Sequence, residues 1–209
     1  MALLLNVPYA EKDEAKALGA KWDTQLKKWY VEDYRHYSDF YKWIEPVEIE
    51  NKQIICNSLF IIEKYRACRN CKNILPDIIW GTRDFIEIKQ ELLDRPGKWT
   101  VIYDMKNKLT LHNDIKPIPP TLITYLKEKY NFEEQDMREI LSPHFYKRCR
   151  KCGIMLESFF FEAIKNEEDT VIYEFPLKYD IVSDYDIWGT HFFYVDKKKL
   201  RLMPTITDL

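Results

Sequence analysis

Tyr65-Arg66-Ala67-Cys68-Arg69-Asn70-Cys71 and Tyr146-Lys147-Arg148-Cys149-Arg150-Lys151-Cys152 are nearly one heptapeptide written twice. Each carries a C-x-x-C pair, whose two-residue spacer lets a tight turn aim both sulfurs at one ion while backbone N–H groups face them. Two such pairs supply the four thiolates of a closed tetrahedral zinc site. Cys68, Cys71, Cys149 and Cys152 are therefore the expected ligands of one Zn2+. With all four positions filled by protein, that ion is expected to be structural, with no open catalytic position. The neighbouring cations would favour thiolate over thiol. Gly153 follows the second pair, where a left-handed residue is usual; Lys72 holds that place in the first. A redox motif would need only one pair, in a strand-to-helix context absent from the pattern. The 77 residues between Cys71 and Cys149 exceed the spacing of a compact ribbon, so the pattern implies a zinc-ribbon-like domain with an insertion.

Around this pair, composition narrows the class. The 209 residues carry a net charge of -2, which as a global property favours neither nucleic acid nor acidic partners. Aromatic content is 15% and there are only 5 glycines, as in a packed, strand-rich protein. Cys56 remains as an odd thiol, which points to metal ligation in a reducing compartment, hence cytoplasmic. The Met-Ala-Leu-Leu-Leu start lacks a basic region and ends too early for an export signal. No run reaches membrane-spanning length.

The pattern predicts an α+β protein in two parts: a small sheet-and-helix module over 1–47 and a zinc-knuckle α+β domain over 48–209. In the first, strand Leu3–Val7 leads to a helix from about Ala10 to Leu18 with Gly19 as its cap. A hairpin carries Trp22 opposite Trp29 and Val31, and a helix spans about Tyr34 to Trp43. Pro46 and Glu48–Lys52 read as a linker. In the second, Asp77–Trp80 and Phe85–Ile88 are expected to flank a turn at Gly81-Thr-Arg-Asp84. Trp99–Tyr103 and Leu109–His112 are expected to form another hairpin. Helices are expected over Thr121–Tyr130 and Glu133–Leu141, then strands near Met155–Phe161, Val171–Phe175, His191–Val195 and Leu200–Met203. Thr100–Asp104 resembles Thr170–Glu174, and Trp80-Gly-Thr82 resembles Trp188-Gly-Thr190. Their offsets disagree, so they are shared strand vocabulary and not a duplication.

The stretch Leu5-Asn-Val-Pro-Tyr-Ala-Glu-Lys-Asp-Glu-Ala-Lys-Ala-Leu-Gly-Ala-Lys-Trp-Asp23, followed by Lys28-Trp-Tyr-Val31, carries a specific signature. It resembles a small bacterial domain-of-unknown-function family, found alone or fused to plasmid primase and mobilisation proteins. The likeness covers about residues 3–31 without a departure inside the signature. The module followed by two cysteine knuckles also looks like an uncharacterised bacterial family, which implies a zinc-binding protein and no activity. Physically, Val7, Ala15, Leu18, Trp22, Trp29 and Val31 suffice as the core of so small a unit. Lys27, Lys28 and Tyr30 remain as surface candidates able to hold phosphate and stack a base, although Glu11, Asp13, Glu14 and Asp23 offset the local charge. Lys147, Arg148, Arg150 and Lys151 form a second candidate phosphate-binding rim.

One pattern suggests catalysis. Pro76-Asp77 and Glu87-Ile-Lys89 match P-D…[DE]-x-K, in which two carboxylates hold Mg²⁺ and a lysine activates water. The expected hairpin sets Asp77 opposite Ile88 and Lys89; alternatively Glu87 and Lys89 are merely solvent-facing alternates of a strand. His36, His112, His144 and His191 lack partners at diagnostic spacing. Asp180, Asp184 and Asp186 read as a solvated acidic loop, and with Glu157, Glu162, Glu167, Glu168 and Asp169 they give an acidic face suited to docking a protein partner or to self-association. The sequence thus favours a non-enzymatic, nucleic-acid-associated zinc protein binding DNA or RNA. A protein-interaction adaptor and a nuclease using Asp77, Glu87 and Lys89 are the alternatives.

Overall fold

The computed structural model describes residues 2–44, 51–89, 99–102, 108–112, 115, 118–134, 145–156, 170–184 and 191–207. The chain is α+β, as expected. It begins with β1 (Leu3–Leu5), a 3-10 turn at Tyr9–Glu11, α1 (Lys12–Ala17), β2 (Lys21–Asp23) and β3 (Lys28–Val31), forming an antiparallel sheet ordered β1–β3–β2. Gly19 ends α1 with φ +103°, a conformation that only glycine adopts without strain, and this turns Ala20 back to bond Ala15 O at 3.0 Å. The Asp23 carboxylate accepts from the N–H groups of Gln25 and Leu26, which folds the β2–β3 turn. Tyr34–Trp43 is wound as 3-10 turns, started by Asp33, whose side chain accepts from Arg35 N.

The rest is built on one long hairpin, β4 (Asn51–Ala67) and β5 (Ile74–Lys89). β6 (Thr100–Ile102) and β7 (Lys108–His112) pair with β5. α2 (Pro120–Tyr130) follows, with prolines at its start and Asn131 left-handed (φ +58°) at its end. β8 (Phe132–Glu134), β9 (Phe145–Arg148) and β10 (Met155–Leu156) make a separate sheet ordered β10–β9–β8. β11 (Thr170–Pro176) and β12 (Ile181–Asp184) lie beside β4, β13 (His191–Tyr194) beside β7, and β14 (Leu200–Leu202) runs parallel to β11.

Period-2 alternation sorts β4 between two faces. Ile55, Leu59 and Ile61 pack with Leu122, Leu126 and Tyr130 of α2. Ile54 and Cys56 pack with Leu3, Leu5, Val31, Tyr37, Phe40 and Trp43, so the N-terminal segment shares a hydrophobic cluster with the hairpin. Phe60 and Ile62 meet Leu109, Leu111 and Phe193. A bulge between Cys56 and Leu59 is accommodated by Asn57 at φ +65°, whose side chain donates to Asp84 at 2.9 Å. Cys56 itself is fully buried, and burial pushes its thiol far up, consistent with a packing residue.

Several expectations are corrected. Gly81-Thr82-Arg83-Asp84 is no turn; β5 runs through it. A Cβ at Gly81 would lie 3.2 Å from Ile62 Cδ1 and from Leu109 Cδ1, so the glycine permits strands to approach closely. Asn51 and Lys52 open β4 instead of ending a linker, while 45–50, including the expected boundary at 47, lie outside the described residues. Phe132–Glu134 is strand, so no helix begins at Glu133; residues 135–144 lie outside the described residues. Trp22 is 47% exposed at the open edge of its sheet, touching Trp29 edge-on at 5.5 Å, and is not core. Asp180 is buried and accepts from Tyr37 Oη at 2.6 Å, so it belongs to no solvated loop.

Candidate metal centre

The first C-x-x-C forms the loop of the β4–β5 hairpin and the second forms the loop of the β9–β10 hairpin. Both loops fold alike. Cys68 N donates to Asn73 O (2.8 Å) and Cys149 N to Ile154 O (3.0 Å); Lys72 N donates to Cys68 O (3.0 Å) and Gly153 N to Cys149 O (2.8 Å). Lys72 and Gly153 take the same left-handed conformation, φ +59° and +70°. Adding 81 to a residue number in the first loop gives its counterpart in the second, through Leu75 and Leu156, which pack with the cysteines in one small cluster.

All four sulfurs lie within 4.8 Å of one another. Cys68 Sγ is 3.7 Å from Cys152 Sγ, and Cys71 Sγ is 3.6 Å from Cys149 Sγ. A tetrahedron with metal–sulfur bonds of about 2.3 Å has edges of about 3.8 Å, so the donor set fits one tetrahedral ion. The backbone N–H groups of Cys71 and Asn70 draw the Cys68 thiol below its usual range. The N–H of Ile154 and the side chain of Asn70 bring Cys152 down to about 6. For Cys71 the Asn73 N–H pulls downward, but burial and the three neighbouring sulfurs prevail and carry it to about 11. Four thiols crowded together cannot all ionise without a cation between them. Asn70, reaching across to the opposite knuckle, was not singled out from sequence; its place inside the first C-x-x-C is the only signal.

The remaining candidates are placed as follows. Arg148 is half-buried and donates to Gly153 O; Arg150 and Lys151 are exposed, and Arg150 Nη2 donates to Glu128 O at 2.6 Å. Lys147 lies on β9, paired with Leu156 and Phe132. Lys28 and Tyr30 are two apart on β3 and share a face, while Lys27 sits in the preceding turn at φ +53°. Asp77 and Glu87 are not brought together. They lie ten residues apart on one strand, about 33 Å at ordinary rise. Asp77 is bound to Arg66 at 2.7 Å and lies opposite Lys64, while Lys89 is opposite Asn51. His112 is buried against Thr82 Oγ1 (2.7 Å), His36 is exposed beside Asp39, and His191 pairs with Leu111. His144, Asp186 and the acidic residues from Glu157 to Asp169 lie outside the described residues. Among the described residues no helix is long and apolar enough to cross a membrane.

Comparison with known proteins bears on a short part of the chain. A 41-residue stretch is 54% identical to a DNA primase TraC of Escherichia coli, covering 20% of this chain and 3% of the primase. A second Escherichia coli DNA primase TraC is 56% identical over 39 residues, 19% of this chain and 4% of the primase. The chain thus aligns with only a small fraction of either relative. No solved structure matches. The model of the domain of unknown function DUF5710 matches residues 3–45, so the resemblance read over about residues 3–31 is borne out: that segment is similar to the DUF5710 family.

Proposed function

We propose that this is a non-enzymatic zinc protein that associates with DNA or RNA, in a reducing, cytoplasmic setting. The observation that carries the reading is the charge of the two knuckles. Residues 65–75 and 146–156 contain seven lysines and arginines and no aspartate or glutamate. A zinc tetrathiolate bears a net charge of about -2. Seven cations exceed what that requires, even with Arg66 committed to Asp77. Zinc held by Cys68, Cys71, Cys149 and Cys152 would be structural. Lys147, Arg148, Arg150 and Lys151 would contact phosphates, with Lys27, Lys28 and Tyr30 as a second contact. The likeness of a 41-residue stretch to a DNA primase supports the same reading.

The test measures affinity for nucleic acid as salt is varied. The expected result is tight binding at low salt, with log K falling linearly in log[salt]. Replacing Lys147, Arg148, Arg150 and Lys151 by alanine should flatten that slope by roughly 0.7–0.9 for each phosphate no longer neutralised. Absence of binding at low salt, or an unchanged slope, defeats the reading. Elemental analysis should give one zinc per chain, absent from Cys149→Ser.

A further inference from the structure

Beside the first knuckle, the face of β4 and β5 that α2 covers emerges into solvent. The odd-numbered side chains of β4 run from Leu59 to Glu63 beneath α2, then continue as Tyr65 and Ala67. Tyr65 is 52% exposed, and Ile74, paired with Ala67 across the hairpin, is 62% exposed. The next residue, Leu75, turns inward to the cysteines. The second hairpin repeats the arrangement: Leu156 is inward and Met155, the counterpart of Ile74, is 36% exposed. Single exposed apolar residues are ordinary. Here Ile74 and Met155 recur at equivalent positions of two loops, and the same two loops carry the exposed Arg69, Lys72, Arg150 and Lys151. The Arg150 guanidinium is held at the end of α2 by the Glu128 carbonyl.

We infer that this surface docks single-stranded nucleic acid, with Tyr65 as a stacking platform and Ile74 packing against an unstacked base. The inference rests on the nucleic-acid reading above and adds the strand state of the partner. Cations alone recognise phosphates of any polynucleotide, whereas an apolar, aromatic platform gains only from bases whose faces are free. In a duplex those faces are stacked inside. An acidic protein would satisfy the cations without using the ring of Tyr65.

The experiment titrates the zinc-loaded full chain into a labelled oligothymidylate and into a duplex of equal length, by fluorescence anisotropy. The expected result is preference for the single strand. Tyr65→Ala combined with Ile74→Ser should weaken single-strand binding roughly tenfold and leave duplex binding unchanged. Tyr65→Trp, which keeps a larger ring at the site, should hold or tighten it, and this guards against a fold defect mimicking the weakening. If the double variant weakens both ligands equally, or neither, the platform is refuted while nucleic-acid association stands. If the unaltered chain binds neither ligand, the underlying reading falls as well.

Discussion

Two buried titratable side chains act on stability in opposite directions. Burial, opposed in part by the hydrogen bond from Tyr37, lifts the Asp180 carboxyl from 3.8 to about 6. The folded chain then keeps a proton that the unfolded chain has released, so this site's contribution is full below about pH 4 and is lost as pH rises through 6. Burial pulls His112 from 6.5 down to about 4. Its neutral ring favours the fold above 6.5 and that contribution is lost as pH falls towards 4. Each shift corresponds to roughly 3 kcal/mol. Between about pH 4 and 6 the two slopes oppose one another, which hides both in the parent chain. Urea unfolding across this range should therefore show Asp180→Asn gaining stability relative to the parent as pH rises, and His112→Gln gaining as pH falls. Differences that stay flat with pH would exclude the buried-charge account. Neither effect was legible in sequence, because an aspartate among acidic neighbours reads as solvated until the chain folds Tyr37 onto it.

At the level of elements, α2 is fastened to the hairpin by a buried charge. Glu63 on β4 is 2% exposed and accepts from Tyr130 Oη at 2.6 Å and from Lys129 Nζ at 2.9 Å. Lys129 also lies over the Tyr173 ring, 3.7 Å from its centroid, and donates to Tyr125 Oη. Burial alone would lower the Lys129 ammonium, but its hydrogen bonds to the tyrosines and Glu63 hold it above its usual value. α2 in turn leads through Asn131 into β8 and holds Arg150 of the second knuckle at Glu128 O. Glu63→Ala leaves the cation and a buried hydroxyl without their anion, which should cost about 3–5 kcal/mol in chemical unfolding. Glu63→Gln, which can still accept from Tyr130, should cost less. If the metal holds the knuckles independently of α2, zinc affinity measured against a competing chelator will not change in Glu63→Ala; the latch predicts that it weakens. Sequence pattern located α2 to within one residue, because prolines at its start and an apolar face mark it plainly. It failed on β5, where Gly81 imitates a turn residue while serving close strand approach, and it made two hairpin arms of one strand. It also assigned Trp22 to the core on hydrophobicity alone, since an edge strand has the same letters as a central one.

Across the whole molecule, β4 and β5 form a spine. β4 holds 17 residues, roughly 55 Å of extended chain. One end packs against the N-terminal segment through Ile54 and Cys56, and the other carries Cys68 just beyond Ala67. The metal set was legible from two matched C-x-x-C pairs because ligand chemistry tolerates few alternatives. Its architectural role was not legible, since only the fold shows that the first pair caps the long β4–β5 hairpin and the second the β9–β10 hairpin. Closing the 77-residue segment between the pairs costs chain entropy, and among the described residues the sulfurs share a small cluster with Leu75, Ile154 and Leu156. The ion therefore should supply stability that packing at this end lacks. With free zinc at about a thousand times its dissociation constant, linkage contributes about 4 kcal/mol. For a chain of this size that corresponds to a melting shift of roughly 8–16 °C. A strong chelator should lower the parent's melting temperature by that amount and leave Cys149→Ser unaffected. Because the hydrophobic cluster at the far end of the spine contains no ligand, the destabilisation should be uneven. Hydrogen exchange after chelation should speed up in 145–156 and at the tips of β4 and β5, while Leu3–Leu5 and Lys28–Val31 keep their protection. Equal loss of protection at both ends would mean that the spine transmits the metal's effect throughout, and no change at either end would mean that the four sulfurs do not hold a stabilising ion.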